Sequence, residues 1–217
     1  MGSTDSTDLT ARARIRDAAV VCFGEHGFKV TVRTIAEKAG VSPGLVIHHF
    51  GSKAGLRKAC DDHVFAIIHE AKMESVTSPD PMRSFRHLSH LEEFAPLMAY
   101  IIRSLQEGGP LGLALHERMV RDVEEYLAAG EGAGNIRPSR DPRKRARFLA
   151  NMISGSLLMA LAERPGEERV DFSRFLQEWT EEYMLPALEL YCEGLFTDRK
   201  MLDAYLMYVS DPPEESR

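Results

Sequence analysis

Apolar residues recur every three or four positions along most of the chain, the spacing that is typical of amphipathic α-helices. The first such segment runs from Thr10 to about Glu25. Its apolar face consists of Ile15, Ala18, Ala19, Cys22 and Phe23. No sustained alternation with a period of two, which would indicate strands, is present. The pattern therefore predicts an all-α fold.

Cap and breaker residues divide the later chain into further helices. A long helix is predicted from Ser52 toward Met73, where SPDP at 78–81 ends it. Pro96 indicates a kink or a new helix start, and 131–140 is the clearest loop. The other predicted helices are Met82–Glu93, a segment within 111–130, and segments that begin at Asp141, Asp171 and Asp198 and end near Arg164, Leu195 and Tyr208.

The segment 31–53, TVRTIAEKAGVSPGLVIHHFGSK, carries the most specific local signals. Thr31 is a good N-cap for a short helix, and Gly40 suits the left-handed position that ends it. Ser42 can cap a second helix with Pro43 at its first position. Two short helices joined by a glycine turn predict a helix-turn-helix, a unit that places its second helix in the major groove of DNA.

The charge distribution agrees with this interpretation although the net charge of the 217 residues is −6. Between Thr10 and Cys60, nine Lys or Arg face three Asp or Glu, so this segment carries +6 and the remainder carries −12. A basic segment on an acidic protein can contact phosphate while the rest resists non-specific adsorption to nucleic acid. The 44% apolar and 28% charged composition is that of an ordinary soluble globular protein.

Other chemistries lack support in the sequence. The cysteines at 22, 60 and 192 and the eight histidines match no disulfide or zinc spacing, and no nucleophile–base pair or phosphate loop is evident. We therefore expect no catalytic residue, no metal and no cofactor. Because no signal peptide or membrane-length apolar run is present, the sequence predicts a soluble, cytoplasmic protein with no membrane segment.

The segment VTVRTIAEKAGVSPGLVIHHFGSKAGL closely resembles the DNA-binding signature of TetR/AcrR regulators, and this resemblance extends through Leu56. It implies a three-helix head joined by a long fourth helix to a helical body that binds an effector and dimerises. The domains expected on this basis are a disordered terminus at 1–9, a helix-turn-helix domain at 10–56, a ligand-binding and dimerisation domain at 57–210 and a flexible tail at 211–217.

The same resemblance implies which residues contact DNA: Thr31, Arg33, Ser42, Pro43, Gly44, Leu45, His48, His49 and Lys53. The chain departs from the family pattern at Pro43, where lysine or arginine is frequent, and at Ile47, where many relatives carry tyrosine. Both changes remove a polar contact. Two interpretations stay open, namely more apolar contact, with Leu45 on a thymine methyl group, or recognition of DNA shape.

The body implied by the resemblance accepts a small apolar or amphipathic effector. A cavity of this kind needs an apolar lining with a few polar groups. Our candidates, chosen by helix position and residue type, are Phe94, Met98, His116 and Met119.

Small residues at Ala150, Ser154, Gly155 and Ala162 allow close helix approach. Together with the amphipathic segment 172–195 they are compatible with a four-helix interface between two copies or with burial within one chain, and the resemblance implies the homodimer. The expected function is a ligand-responsive transcription regulator, a repressor that binds a roughly palindromic DNA operator. The alternatives are an activator or architectural DNA-binding protein without an effector, and a helical enzyme, for which no motif speaks.

Overall fold

The computed structural model describes residues 3–80, 82, 91–164 and 170–210. The described residues form α-helices and no strand, which confirms the predicted all-α fold. The helices are α1 (Ser3–His26), α2 (Val32–Ala39), α3 (Pro43–Phe50), α4 (Lys53–Thr77), α5 (Leu91–Glu107), α6 (Gly109–Gly132), α7 (Pro142–Ala162), α8 (Phe172–Cys192) and α9 (Lys200–Ser210). We call α1–α3 the head and α5–α7 the body helices.

Two compact units make up the chain, Met1–Gln177 and Glu178–Arg217. The head and the body helices belong to the first unit, and the division falls within α8. The domain boundary expected after residue 56 does not coincide with this division and stays a prediction.

Several helix bounds differ from those that the sequence pattern suggests. Helix α1 begins at Ser3, so residues 3–9, expected to be disordered, are helical. Helix α5 runs through Pro96 without a new start, because a proline in the second turn removes only one intrahelical hydrogen bond. Most of the predicted helix Met82–Glu93 and the tail at 211–217 lie outside the described residues.

Aromatic side chains join the head to the first body helix. The ring of Phe28 lies 5.0 Å from that of Phe23 and 5.5 Å from that of Tyr100, measured between centroids. Phe23 on α1 and Tyr100 on α5 are both fully buried. The same hydrophobic cluster includes Ile35 and Val46, so the core of the head continues into α5.

Helix α5 approaches α1 closely at Gly24. A Cβ atom at this position would lie 2.9 Å from the Cβ of Ala99, closer than two carbon atoms can approach without a shift. Nearby, the Nε of Arg103 donates a hydrogen bond to the carbonyl oxygen of Gly24 at 3.2 Å. The absence of a side chain at Gly24 therefore allows α1 and α5 to come into contact, and the hydrogen bond from Arg103 links them.

A polar contact fixes α5 on α4 as well. The hydroxyl of Tyr100 donates to Asp61 Oδ1 at 2.6 Å. Burial raises the pKa of Asp61, and the hydrogen bond from Tyr100 acts in the opposite direction. Arg57 of α4 adds an ion pair to Glu107 at 2.6 Å, and its guanidinium lies 3.6 Å from the ring centroid of Phe28.

A second hydrophobic cluster lies between α6 and α7. Its buried residues are Val120, Val123, Tyr126, Leu127, Ala146 and Ala150. Met73 and Val76 near the end of α4 pack against it. Because Leu56 and Val64 near the start of α4 belong to the cluster of the head, this helix contributes to both cores.

We predict that Tyr100→Phe lowers the free energy of unfolding at pH 7 by about 1.5–3 kcal/mol, the range for a hydrogen bond to a charged group. Without the phenol, the folded-state pKa of Asp61 rises further. A raised folded-state pKa favours folding at low pH and opposes it as the pH increases through that pKa. The loss should therefore be largest at neutral pH and shrink on acidification, as chemical denaturation at several pH values would show.

Tyr205→Phe is the matched control, because Tyr205 is exposed and the change removes the same atom. It should leave the free energy of unfolding within about 0.5 kcal/mol. Equal effects of the two substitutions, or a Tyr100→Phe effect that does not vary with pH, would contradict the role given to Asp61.

Candidate nucleic-acid interface

Local hydrogen bonds set the start and the end of α2. The hydroxyl of Thr31 accepts from the N–H of Thr34 at 3.1 Å, which confirms the predicted N-cap. Gly40 follows the helix with φ 65°, in the left-handed region where a side chain is disfavoured. The next N–H, of Val41, donates to the carbonyl of Ala36 at 3.0 Å, so the chain reverses sharply here.

Helix α3 begins as the sequence predicts. The Oγ of Ser42 accepts from the N–H of Leu45 at 3.2 Å, and Pro43 occupies the first turn, where its missing N–H has no cost. Gly51 ends the helix, and Ser52 caps α4 by accepting from the N–H of Gly55 at 3.0 Å. Local caps thus fix the start of α2, α3 and α4. We call α3 the recognition helix, since it is the second helix of the predicted helix-turn-helix.

Burial divides α3 into an inner and an outer face. Val46 is fully buried, and Leu45 and Phe50 are half-buried against the core of the head. The outer face consists of Pro43, Gly44, Ile47 and His48. Leu45, whose contact with a thymine methyl group is one of the two open interpretations, is half-buried against the core, and that contact stays a prediction. The exposed apolar side chain of this face is Ile47.

The expected phosphate contacts differ in how freely they can reach DNA. Arg33 is 82% exposed and its Nε donates to Glu37 at 3.1 Å along α2. Lys53 is half-buried, and its Nζ donates to the carbonyl oxygen of Phe28 at 2.6 Å. Arg33 is thus the more exposed cation, whereas Lys53 connects the start of α4 to the loop after α1.

The two histidines of α3 lie in different environments. His48 is exposed and His49 half-buried, and their ring centroids are 5.5 Å apart. An exposed imidazole next to the recognition face can donate to a base edge or a phosphate. This arrangement favours His48 over His49 as a DNA contact.

A shallow depression of about 480 Å³ lies between α1 and α4 beside this face. Its cations are largely balanced by nearby acids: Arg16 contacts Asp17 at 2.7 Å and Lys58 contacts Asp62 at 2.8 Å. Its residues are Arg12, Arg16, Gly55, Lys58, Ala59, Asp62 and His63. The guanidinium of Arg12 lies 5.0 Å from the ring centroid of Phe50, next to the end of α3.

Two glycines of this region have opposite surroundings. A Cβ on Gly55 would lie 2.1 Å from the carbonyl oxygen of Phe50, so the close contact of α3 and α4 requires glycine there. A Cβ on Gly44 would meet only Ser42 Oγ at 3.9 Å, an ordinary contact. Among the residues that the structure describes, nothing therefore accounts for glycine at position 44.

The four candidate effector contacts are all half-buried on α5 and α6. Phe94 and Met119 pack against the cluster that extends from the head. Met98 and His116 lie on the same two helices. Their role in ligand binding stays a prediction.

The fold also brings together groups that spacing along the chain could not connect. His69 of α4 contacts the carboxylate of Asp122 on α6, and burial raises the pKa of that carboxyl. Glu125 completes a set whose possible ligand atoms lie within 4.8 Å of one another. The direct His69–Asp122 contact accounts for these two groups as a polar bridge between α4 and α6, and the expected absence of a metal stays a prediction.

Family models match two parts of the chain. The model described as bacterial regulatory proteins, tetR family, matches residues 15–60, which include α2 and α3. The model described as tetracyclin repressor-like, C-terminal domain, matches residues 92–197. HTH-type transcriptional regulatory protein RaaS of Mycobacterium tuberculosis is 50% identical over 201 residues, 93% of this chain and 94% of that protein.

The chain belongs to the TetR family. It is a helix-turn-helix transcriptional regulator, as the resemblance of residues 31–56 implied. The transcriptional repressor AcnR of Corynebacterium glutamicum is 45% identical over 47 residues, 21% of this chain and 25% of that protein.

A crystal structure of a TetR-family regulator from Streptomyces coelicolor has the same fold. It superimposes with a TM-score of 0.56 at 16% identity and covers 99% of this chain and 93% of that one. Among the described residues of the regulator, no helix combines the length and apolar character that crossing a membrane requires.

Alanine at Gly55 and at Gly44 should affect the stability of this TetR-family regulator differently. We predict that Gly55→Ala costs about 1–3 kcal/mol of stability through overpacking and lowers the melting temperature by several degrees. Gly44→Ala should leave the melting temperature unchanged or slightly higher, because alanine favours helix more than glycine does. Thermal unfolding of both variants measures this.

Gly44→Ala serves as the matched control for Gly55→Ala, since each adds one methyl group to a helical glycine. Equal melting temperatures for the two variants would contradict the contact described at Phe50.

Proposed function

We propose that this TetR-family regulator is a dimeric repressor that binds a roughly palindromic operator and is released by a small-molecule effector. The observation that supports it most is the exposed outer face of α3. Ser42 caps this helix, and the cations Arg33 and Lys53 lie on the helices before and after it in the chain. Relatives of the head named as repressors, such as AcnR, support the sign of regulation.

Phosphate binding rests on the cations and on the starts of the helices. Thr31 and Ser42 mark the N-termini of α2 and α3, where free N–H groups and the helix dipole favour an anion. Arg33 lies in the first turn of α2 and is largely exposed. Two recognition helices of a dimer would enter successive major grooves about 34–36 Å apart, which requires two related half-sites.

A dimer interface is supported by the exposed apolar side chains of α7. Phe148, Met152 and Met159 are exposed and lie on one helix face with Gly155, whose Cβ position has nothing within 4 Å. A large apolar stripe on a surface helix is typical of a protein–protein contact. Gly155 between the larger side chains would let a second helix approach closely.

The small residues that we expected in this interface divide into two groups. Ala150 and Ser154 are buried within the chain, and Ala150 belongs to the cluster with α6. Gly155 and Ala162 are exposed. The proposed interface on α7 therefore uses the face opposite to Ala150, because helical positions 150 and 154 point toward the core of their own chain.

The second unit also exposes apolar side chains. On α8 these include Leu185, Leu188 and Tyr191, and on α9 they include Met201 and Met207. Their exposure supports participation of these C-terminal helices in contacts between copies of the chain. In a homodimer each such face would meet its own copy across a two-fold axis.

Release by an effector needs a physical connection between the body and the head. Tyr100 and Ala99 of α5 contact α4 and α1, and the effector candidates Phe94 and Met98 lie on the same helix. A ligand that displaces α5 would thus move the contacts at Asp61 and Gly24. The two binding events then oppose each other by the same factor in both directions.

We predict that Phe148→Glu and Met159→Glu, separately or together, convert a dimer into a monomer. Burial of a carboxylate against apolar side chains costs several kcal/mol, which a moderate interface cannot offset. Light scattering after size exclusion should give twice the 24.3 kDa chain mass for the unchanged protein and a mass close to one chain for the double variant.

Leu113→Glu is the control, because Leu113 is an equally exposed apolar residue on α6. It should remain dimeric. A monomeric unchanged protein, or dissociation by Leu113→Glu alone, would contradict the proposed face on α7.

For DNA binding we predict selection of a duplex with two inverted half-sites from a random pool. Arg33→Ala should reduce the slope of log affinity against log salt by about 0.9 per protomer, the loss of one phosphate contact. Lys200→Ala, which removes an equally exposed cation on α9, should leave the slope unchanged. Fluorescence anisotropy at several salt concentrations measures both.

A compound library then tests the effector. A small apolar or amphipathic compound should both raise the melting temperature and weaken operator binding, since binding to the folded state stabilises it. Selection of no duplex would contradict DNA binding, and compounds that stabilise the protein without releasing the duplex would contradict effector release.

A further inference from the structure

We propose that Ile47 recognises the C5-methyl group of a thymine in the major groove, once in each operator half-site. This inference rests on the proposed operator binding and names a base that the protein distinguishes. At position 47 the family resemblance indicates only the loss of a polar contact, and the proposal assigns a specific apolar contact to it.

The exposure of Ile47 is exceptional within the head. Between Thr10 and Thr77, a stretch that the structure describes without a gap, Ile47 is the one exposed large apolar side chain, at 43%. Its neighbour Val46 is fully buried, and Leu45 packs against the core. Because isoleucine also forms helix less readily than alanine or leucine, neither burial nor local helix propensity explains its presence here.

The rest of the outer face offers few groups for reading hydrogen bonds. Pro43 lies one turn before Ile47 and has neither an N–H nor a polar side chain, and Gly44 has no side chain at all. The Oγ of Ser42 already accepts the N–H of Leu45. His48 is the remaining polar side chain on this face.

An apolar row on a groove-facing helix selects an apolar feature of DNA. The C5-methyl group of thymine is the apolar group that base pairs present in the major groove. Pro43 and Ile47 form such a row, and the space in front of Gly44 allows the helix backbone to approach the bases. Ile47, one turn after Pro43 in this row, is therefore positioned to make the methyl contact.

The test replaces single thymines by uracil in the duplex that selection from the random pool enriches. This change removes one methyl group and keeps every hydrogen-bonding atom of the base pair. At one symmetric position the unchanged protein should bind about fourfold more weakly per half-site, the effect of one buried methyl-sized group. Uracil at the other thymines should have little effect.

Two variants link that loss to the side chain. Ile47→Ala should bind the thymine duplex more weakly and lose most of its sensitivity to the single uracil, whereas Ile47→Val should keep the sensitivity. Because position 47 is exposed, both variants should unfold at nearly the temperature of the unchanged protein, which thermal unfolding checks.

The outcomes separate this inference from the function on which it rests. Failure to enrich any duplex would contradict operator binding itself. An enriched duplex whose half-sites contain no thymine, or whose affinity no uracil changes, would overturn the methyl contact and indicate shape recognition. Equal uracil sensitivity in Ile47→Ala and the unchanged protein would assign the methyl group to another residue and would also overturn it.

Discussion

Tyr100 reaches from α5 into the space between α1 and α4, the two helices that pack against α3 together with α2. Its ring packs with Phe23 and Phe28, and its hydroxyl bonds Asp61 on the helix that follows the recognition helix. Loss of a buried aromatic ring typically costs about 3–5 kcal/mol, a large part of the total stability of a domain. Part of the packing of α1 and α4, which both contact α3, therefore comes from outside the helix-turn-helix.

Helix α4 connects the hydrophobic core of the head to that of the body helices. Helix α4 contributes Leu56 and Val64 to the cluster of the head and Met73 and Val76 to the cluster of α6 and α7. Two close-packed cores that share one helix cannot shift independently, because interiors tolerate little empty volume. A movement of α4 or α5 would therefore disturb the packing against α1.

The sequence predicts the head in detail because its signals are local. Thr31, Gly40 and Ser42 each act within a few residues, so their caps and turn could be inferred from neighbouring letters. The contact of Lys53 with Phe28 and that of His69 with Asp122 join distant segments, which no spacing rule connects. The family resemblance supplied the overall architecture, but not these pairs.

The inner and outer faces of α3 illustrate a subtler limit. Val46 is recognisable as an anchor from its place in the motif, and Leu45 and Ile47 lie on either side of it along the helix. Periodicity gives these two neighbours equal claims to either face, since each is about 100° away from Val46. The neighbouring helices decide that Leu45 is half-buried against the core and Ile47 is exposed.

The close approach of α1 and α5 at Gly24, which we call the notch, and the aromatic cluster around Tyr100 also affect how heads and bodies of such regulators can be exchanged. A chimera joined at residue 56 would take Phe23 and Phe28 away from Tyr100 and bring a foreign side chain against the notch at Gly24. The unit of exchange is therefore larger than the helix-turn-helix and includes α4 with the matching face of α5. For this chain, substitutions on the outer face of α3 would change the operator preference without disturbing the contacts between head and body, whereas a transplanted head would disturb them.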